Sequence, residues 1–187
     1  MVYECYDNYM SNRVRNKTKG LIALAVYALM FKKDYDDISV KEICERAGIS
    51  RMSFYRYYSK KDDIFVDYCD DRFEEFYEET HRSNDLPIRE FTYRMFAFIQ
   101  KYKRQLKILK KANREFMLLN QLNNYARYLV ANLKNAEVVE RKNNPLFAPF
   151  VAGGLFNILM IWIDSEDQNL TPELLNTMLY DIIPSKR

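Results

Sequence analysis

Arg51, Ser53, Tyr55, Arg56, Tyr57 and Lys61 lie within eleven positions of one another, and their types suit one chemistry. An arginine fork matches the O6 and N7 acceptors of guanine. Hydroxyls, phenols and ammonium groups suit phosphate oxygens. Ser50 and Met52 complete the segment that would face a duplex. Ser39, upstream, starts another helix and can present a backbone N–H and a hydroxyl to a phosphate. This set has the chemistry that nucleic-acid contacts need and offers no nucleophile paired with a base. Arg56 points elsewhere on the helix and adds only to the field.

These side chains work only if short helices hold them, and the flanking residues provide the starts. Ser39-Val40-Lys41-Glu42 is a capping box, with Ile38 and Ile43 at the two staple positions. Ser50 repeats the cap with Ile49 and Phe54 as its pair. Ser59 is a third cap, followed by Asp62 and Asp63, anions favoured in a helix's first turn. Gly48, between the two short helices, can take the left-handed conformation that ends a helix and turns the chain. Ile43, Ile49 and Phe54 are expected to bury against Leu24 and Tyr27 of an apolar helix, Leu21 to Phe31. This is a helix-turn-helix, whose second helix enters the DNA major groove.

The run from Tyr35 to Ile64 resembles the N-terminal domain of TetR/AcrR-family regulators. The resemblance covers residues 16–75. The two caps, the Gly48 turn, the Phe54-Tyr55 pair and the Ser59-Lys60-Lys61-Asp62-Asp63 start of the fourth helix carry it. Four positions depart from the family's usual residues: Asp34 for Gly, Cys44 for Ala, Ser53 for Thr and Tyr58 for Phe. Asp34 is expected to tolerate the left-handed turn better than most residues. Further on, Pro149 to Leu155, Trp162 and Thr171-Pro172-Glu173-Leu174 resemble the C-terminal half of a Firmicutes-type branch. The resemblance implies a homodimeric repressor on a palindromic operator, released by a small effector. It also implies that Tyr55, Tyr57 and Lys61 touch the DNA backbone. An adaptor or co-regulator whose bundle binds a protein partner is the alternative.

Composition agrees with helices. The chain has 187 residues, 48% hydrophobic and 29% charged, enough to bury a core. Only 4 Gly and 5 Pro leave few turn residues for a sandwich, barrel or Rossmann fold. The expected fold is all-α: a three-helix helix-turn-helix head plus a C-terminal helical bundle, about nine helices in all. The head is assigned to 14–75, with the motif at 39–58. An effector-binding and dimerisation domain is assigned to 76–187.

The net charge is +3, but it is unevenly spread: residues 1–61 hold 12 Lys/Arg against 7 Asp/Glu, and residues 62–90 hold 3 against 11. A basic N-terminal block suits a polyanionic partner. Arg13, Arg15, Lys17 and Lys19 form a basic arm, either a phosphate contact or a solvated terminus. The later run from Lys101 to Arg114 reads as a solvated helix face. The acidic residues of 62–82, Asp70, Asp71, Glu74, Glu75, Glu78 and Glu79, read the same way.

With 3 Cys, no CxxC and a single histidine, His81, no metal site, cofactor or enzymatic constellation is expected. The N-terminus lacks a signal-peptide core. The longest apolar candidate, Leu21 to Phe31, falls short of the roughly 20 residues of a membrane span, so a cytoplasmic location is expected. Phe96, Phe116, Tyr125, Tyr128 and Trp162 are the candidate lining of an apolar effector cavity, with core packing as the alternative. Dimerisation is expected through the last two long helices, about 145–166 and 171–183.

Overall fold

The computed structural model describes residues 16–81, 86–132, 138, 141–167 and 169–182. Nine α-helices and one 3-10 turn make up the regular structure of those residues, with no strand among them. In chain order they are α1 (Asn16–Met30), the 3-10 turn (Tyr35–Asp37), α2 (Val40–Ala47), α3 (Arg51–Tyr55), α4 (Asp63–His81), α5 (Ile88–Gln100), α6 (Lys103–Lys111), α7 (Glu115–Asn132), α8 (Phe147–Asp164) and α9 (Pro172–Ile182). The all-α expectation holds. The chain divides into two compact units, with the boundary between Tyr68 and Cys69.

In the first unit α1 packs on α2 and buries Ile22, Ala23, Val26 and Met30, and Ile38, Ile43 and Phe54 are buried in the same unit. Leu24 does not join them. It is 69% exposed, because the inward face of α1 falls on its immediate neighbours Ala23 and Ala25. Asp34 also departs from expectation. Its φ is −64° and its ψ 144°, an extended conformation open to any residue, and a 3-10 turn follows it. Asp67 ties the unit together: it pairs with Lys19 of α1 and accepts from the Tyr58 hydroxyl at 2.6 Å. Lys19 is thus spent inside the unit rather than in a basic arm. Arg13 and Arg15 lie outside the described residues.

In the second unit Phe76, Phe91 and Phe98 form an aromatic centre, with Met95 and Tyr102 packed against it. Phe91, Met95 and Phe98 recur at helical spacing along α5, as the sequence pattern predicts. α8 lies along α7 through small residues, Ala126 against Ala148 and Ala152. α9 packs on α5. A polar lock fixes that contact: Thr92 donates to Asn176 Oδ1 at 2.6 Å, and Asn176 donates to the Arg89 carbonyl at 3.1 Å. Asp70 and Glu75, read in sequence as solvated, are engaged within this unit. Asp70 accepts from the Tyr125 hydroxyl at 2.6 Å, and Glu75 accepts from Tyr102 at 3.0 Å.

α8 corrects the reading of apolar runs. Its 18 residues have a mean hydropathy of 1.6, long and apolar enough to cross a membrane by length and composition. Pro149, Gly153, Gly154 and Asn157 interrupt the run to the eye but add no charge. Its inner side, Ala152, Leu159, Trp162 and Ile163, is buried in the second unit. Lys110 of α6 pairs with Asp164 at its C-terminal end, and Lys103 lies 5.2 Å from the Trp162 ring centroid. Part of the basic run at 101–114 is therefore engaged with the bundle.

Candidate nucleic-acid interface

The first helix of the motif starts where its cap requires. Glu42 N–H donates to Ser39 Oγ at 3.2 Å, and Ser39 N–H donates to Glu42 Oε2 at 2.9 Å. A Lys33 hydrogen bond, joined by those from the Ser39 backbone and hydroxyl, pulls the Glu42 carboxyl down to about 2. The cap's carboxylate therefore stays charged wherever nucleic acid would be bound. α2 ends at Gly48, with φ 69° and ψ 34°, in the left-handed region. Space for a side chain exists there, but the backbone angle disfavours one.

Ser50 caps α3, accepting from Ser53 N–H at 3.1 Å. The two hydroxyls also pair with each other at 3.1 Å. Phe54 is fully buried and anchors the helix. That leaves Arg51, Met52 and Tyr55 exposed on the outer face, one turn apart at most. Among the described residues, Arg51 forms no hydrogen bond or ion pair. Arg56 packs its guanidinium over the Tyr57 ring at 5.1 Å, so that tyrosine is half-buried beneath a cation.

Lys61 is placed differently from the others. Its Nζ donates to the carbonyls of Tyr35, Asp36 and Ile38 at 2.7, 3.1 and 3.1 Å. It also sits 4.4 Å from the Tyr35 ring centroid. An ammonium has three donors, and all three are used. The side chain clamps the 3-10 turn that precedes α2. Replacing Lys61 with methionine should lower the stability of the protein by about 1–3 kcal/mol, through loss of hydrogen bonds to a charged donor. Thermal or urea unfolding measures this, and unchanged stability would show that the clamp carries no weight. Start signals for α4 are likewise redistributed. Ser59 and Lys60 N–H groups donate to Asp63 Oδ2 at 2.9 and 3.0 Å, so Asp63 rather than Ser59 supplies the capping oxygen.

The candidate effector residues fall into three places. Phe96 and Trp162 meet edge to face at 6.2 Å and are fully buried. Tyr125 stacks on Phe73 at 4.1 Å, and Tyr128 meets the same ring edge-on at 5.9 Å. Phe116 stands apart at the start of α7, 55% exposed. Of the cysteines, Cys44 is buried and Cys69 is pushed up to about 12 by burial and the neighbouring Asp70, so neither is a ready thiolate. His81 ends α4. No cluster of metal-ligating side chains occurs among the described residues.

Comparison with known proteins places this head. Residues 23–68 match the family model described as bacterial regulatory proteins, tetR family. No curated protein matches the chain. Among solved structures, the chain is similar to Lin0861 from Listeria innocua, with a TM-score of 0.77 at 15% identity, covering 89% of each chain. It is also similar to a TetR transcriptional regulator from Streptococcus agalactiae, with a TM-score of 0.64 at 18% identity, covering 95% of this chain and 99% of that one. A third is the dihydroxyacetone kinase operon activator DhaS, with a TM-score of 0.58 at 18% identity, covering 88% and 93%. At these identities the structures speak to the fold, and the family model speaks to the head that carries Arg51. The first unit therefore carries a head similar to the tetR-family DNA-binding domain over residues 23–68.

Proposed function

We propose that the protein is a one-component, cytoplasmic transcriptional repressor that binds a palindromic operator as a homodimer. The observation that carries this is the exposed, unpaired Arg51 on a helix capped by Ser50 and anchored by Phe54. Arg51 reads a base edge while Tyr55 and Tyr57 meet the backbone; Ser39 gives both its N–H and its hydroxyl to Glu42 and serves the cap instead. Operator affinity should fall linearly with salt on logarithmic axes, with a slope of about −0.9 per phosphate contacted. Arg51→Ala should relax sequence preference by about 1–3 kcal/mol at one position of each half-site. Binding-site selection followed by titration at several salt concentrations tests both. An interaction insensitive to salt, or a variant with wild-type preference, overturns the reading.

The dimer is proposed through α8 and α9. Phe150, Gly154 and Ile161 recur along one outer face of α8, and Leu174, Met178 and Ile182 along α9. A Cβ added at Gly153 or Gly154 would meet nothing within 4 Å, so the protomer itself leaves that backbone open for close approach. Effector binding in the second unit would bias head spacing through α4, with coupling of about 1–3 kcal/mol typical of such switches.

A second reading has a specific observation behind it. Phe96, Trp162 and Tyr125 are engaged in core packing, which leaves fewer aromatics for an apolar effector. DhaS, similar in fold, is named an operon activator. A co-regulator whose second unit binds a protein fits both points. A ligand screen that shifts neither melting temperature nor operator affinity would favour it.

A further inference from the structure

The outer face of α3 carries a residue whose chemistry differs from its surroundings. Met52 is 85% exposed, the most exposed large apolar side chain described in the protein. It stands between Arg51 and Tyr55 on α3. The Ser50 and Ser53 hydroxyls on that helix hold each other and the Ser53 N–H. The face therefore offers a guanidinium fork, an unbranched thioether chain and a phenol, with the hydroxyls already partnered. An apolar chain in a major groove finds one kind of apolar feature on the base edges, the 5-methyl group of thymine. Methionine suits it because its flexible, polarizable chain moulds to a small target. Nothing on its own unit buries Met52, so its apolar area remains available for that contact.

We propose that Met52 reads the 5-methyl group of a thymine in each operator half-site, adjacent to the base pair that meets Arg51. This rests on the assignment of α3 as the reading helix. One buried methyl-sized contact corresponds to about a four-fold change in affinity per half-site, and about fifteen-fold when both half-sites change. Phe54 and the caps hold the helix without Met52, so Met52→Ala should leave the fold intact, which far-ultraviolet circular dichroism checks.

The test uses the full-length protein and the operator recovered by binding-site selection. Each thymine is replaced in turn by deoxyuridine, which deletes only the methyl group. For the wild type, one symmetry-related thymine should show the four-fold loss per half-site. In Met52→Ala that loss should vanish, and in Met52→Leu it should persist in part. A recovered site with no sensitive thymine overturns the proposal while leaving the DNA-binding assignment standing. A thymine whose replacement costs both wild type and Met52→Ala equally does the same. Failure to recover any site, together with salt-independent duplex binding, overturns the assignment of the head and this proposal with it.

Discussion

Ile161→Asp should yield a monomer of unchanged helicity that binds operator about 10²–10⁴-fold more weakly. Ile161 lies on the outer face of α8 with Phe150 and Gly154, and is exposed in the protomer. A two-fold interface presents the same patch from both chains, so one substitution puts two carboxylates into it. Burying charge without a partner costs several kcal/mol, more than such an interface can lose. The fall in DNA affinity follows because a lone head loses the effective concentration that its twin supplies. Sedimentation gives the mass, circular dichroism the helicity and titration the affinity. A stable dimer in this variant would place the interface elsewhere.

One position along the same helix the expectation reverses. Trp162 is 1% exposed, edge-on to Phe96, and its Nε1 donates to the Leu170 carbonyl at 2.8 Å. Trp162→Ala should cost about 3–5 kcal/mol, a large part of the roughly 5–15 kcal/mol that holds a typical domain. The loss combines apolar contact, a cavity and a carbonyl left without its donor. The melting temperature should fall by about 6–20 °C. A change below about 1 kcal/mol would contradict the buried packing and return Trp162 to the lining of a cavity.

These two neighbours show which kind of information the sequence holds. Caps depend on residues three or four apart, so Ser39, Glu42, Ser50 and the Gly48 turn could be read directly and stand as read. The stripe on α5 is legible for the same reason. Lys61 was not legible as a clamp. Its partners lie 23 to 26 positions away and are backbone carbonyls, which no residue type announces. Asp67 and Lys19 meet across 48 positions. Leu24 and Ala23 are neighbours in an apolar run, and only the packed helix decides which of them faces inward. Aromatic type alone cannot separate core from cavity wall, because both need the same side chains. Phe96 and Phe116 therefore read alike in sequence but differ in burial.

α3 has five residues. A helix that short has no independent existence in water, because its nucleation cost exceeds what so few hydrogen bonds return. It exists because Ser50 caps it and Phe54 is buried beneath it. Melting α3 must therefore pull Phe54 from the core, and so it must open the first unit. The outer face of α3, proposed above to meet DNA, has no loosened form of its own: it is fully assembled or absent. A thermally stressed or truncated head would fall silent on DNA rather than bind it indiscriminately. Amide exchange at Phe54 and Tyr58 should accordingly follow the unfolding of the whole unit, with no separate local opening.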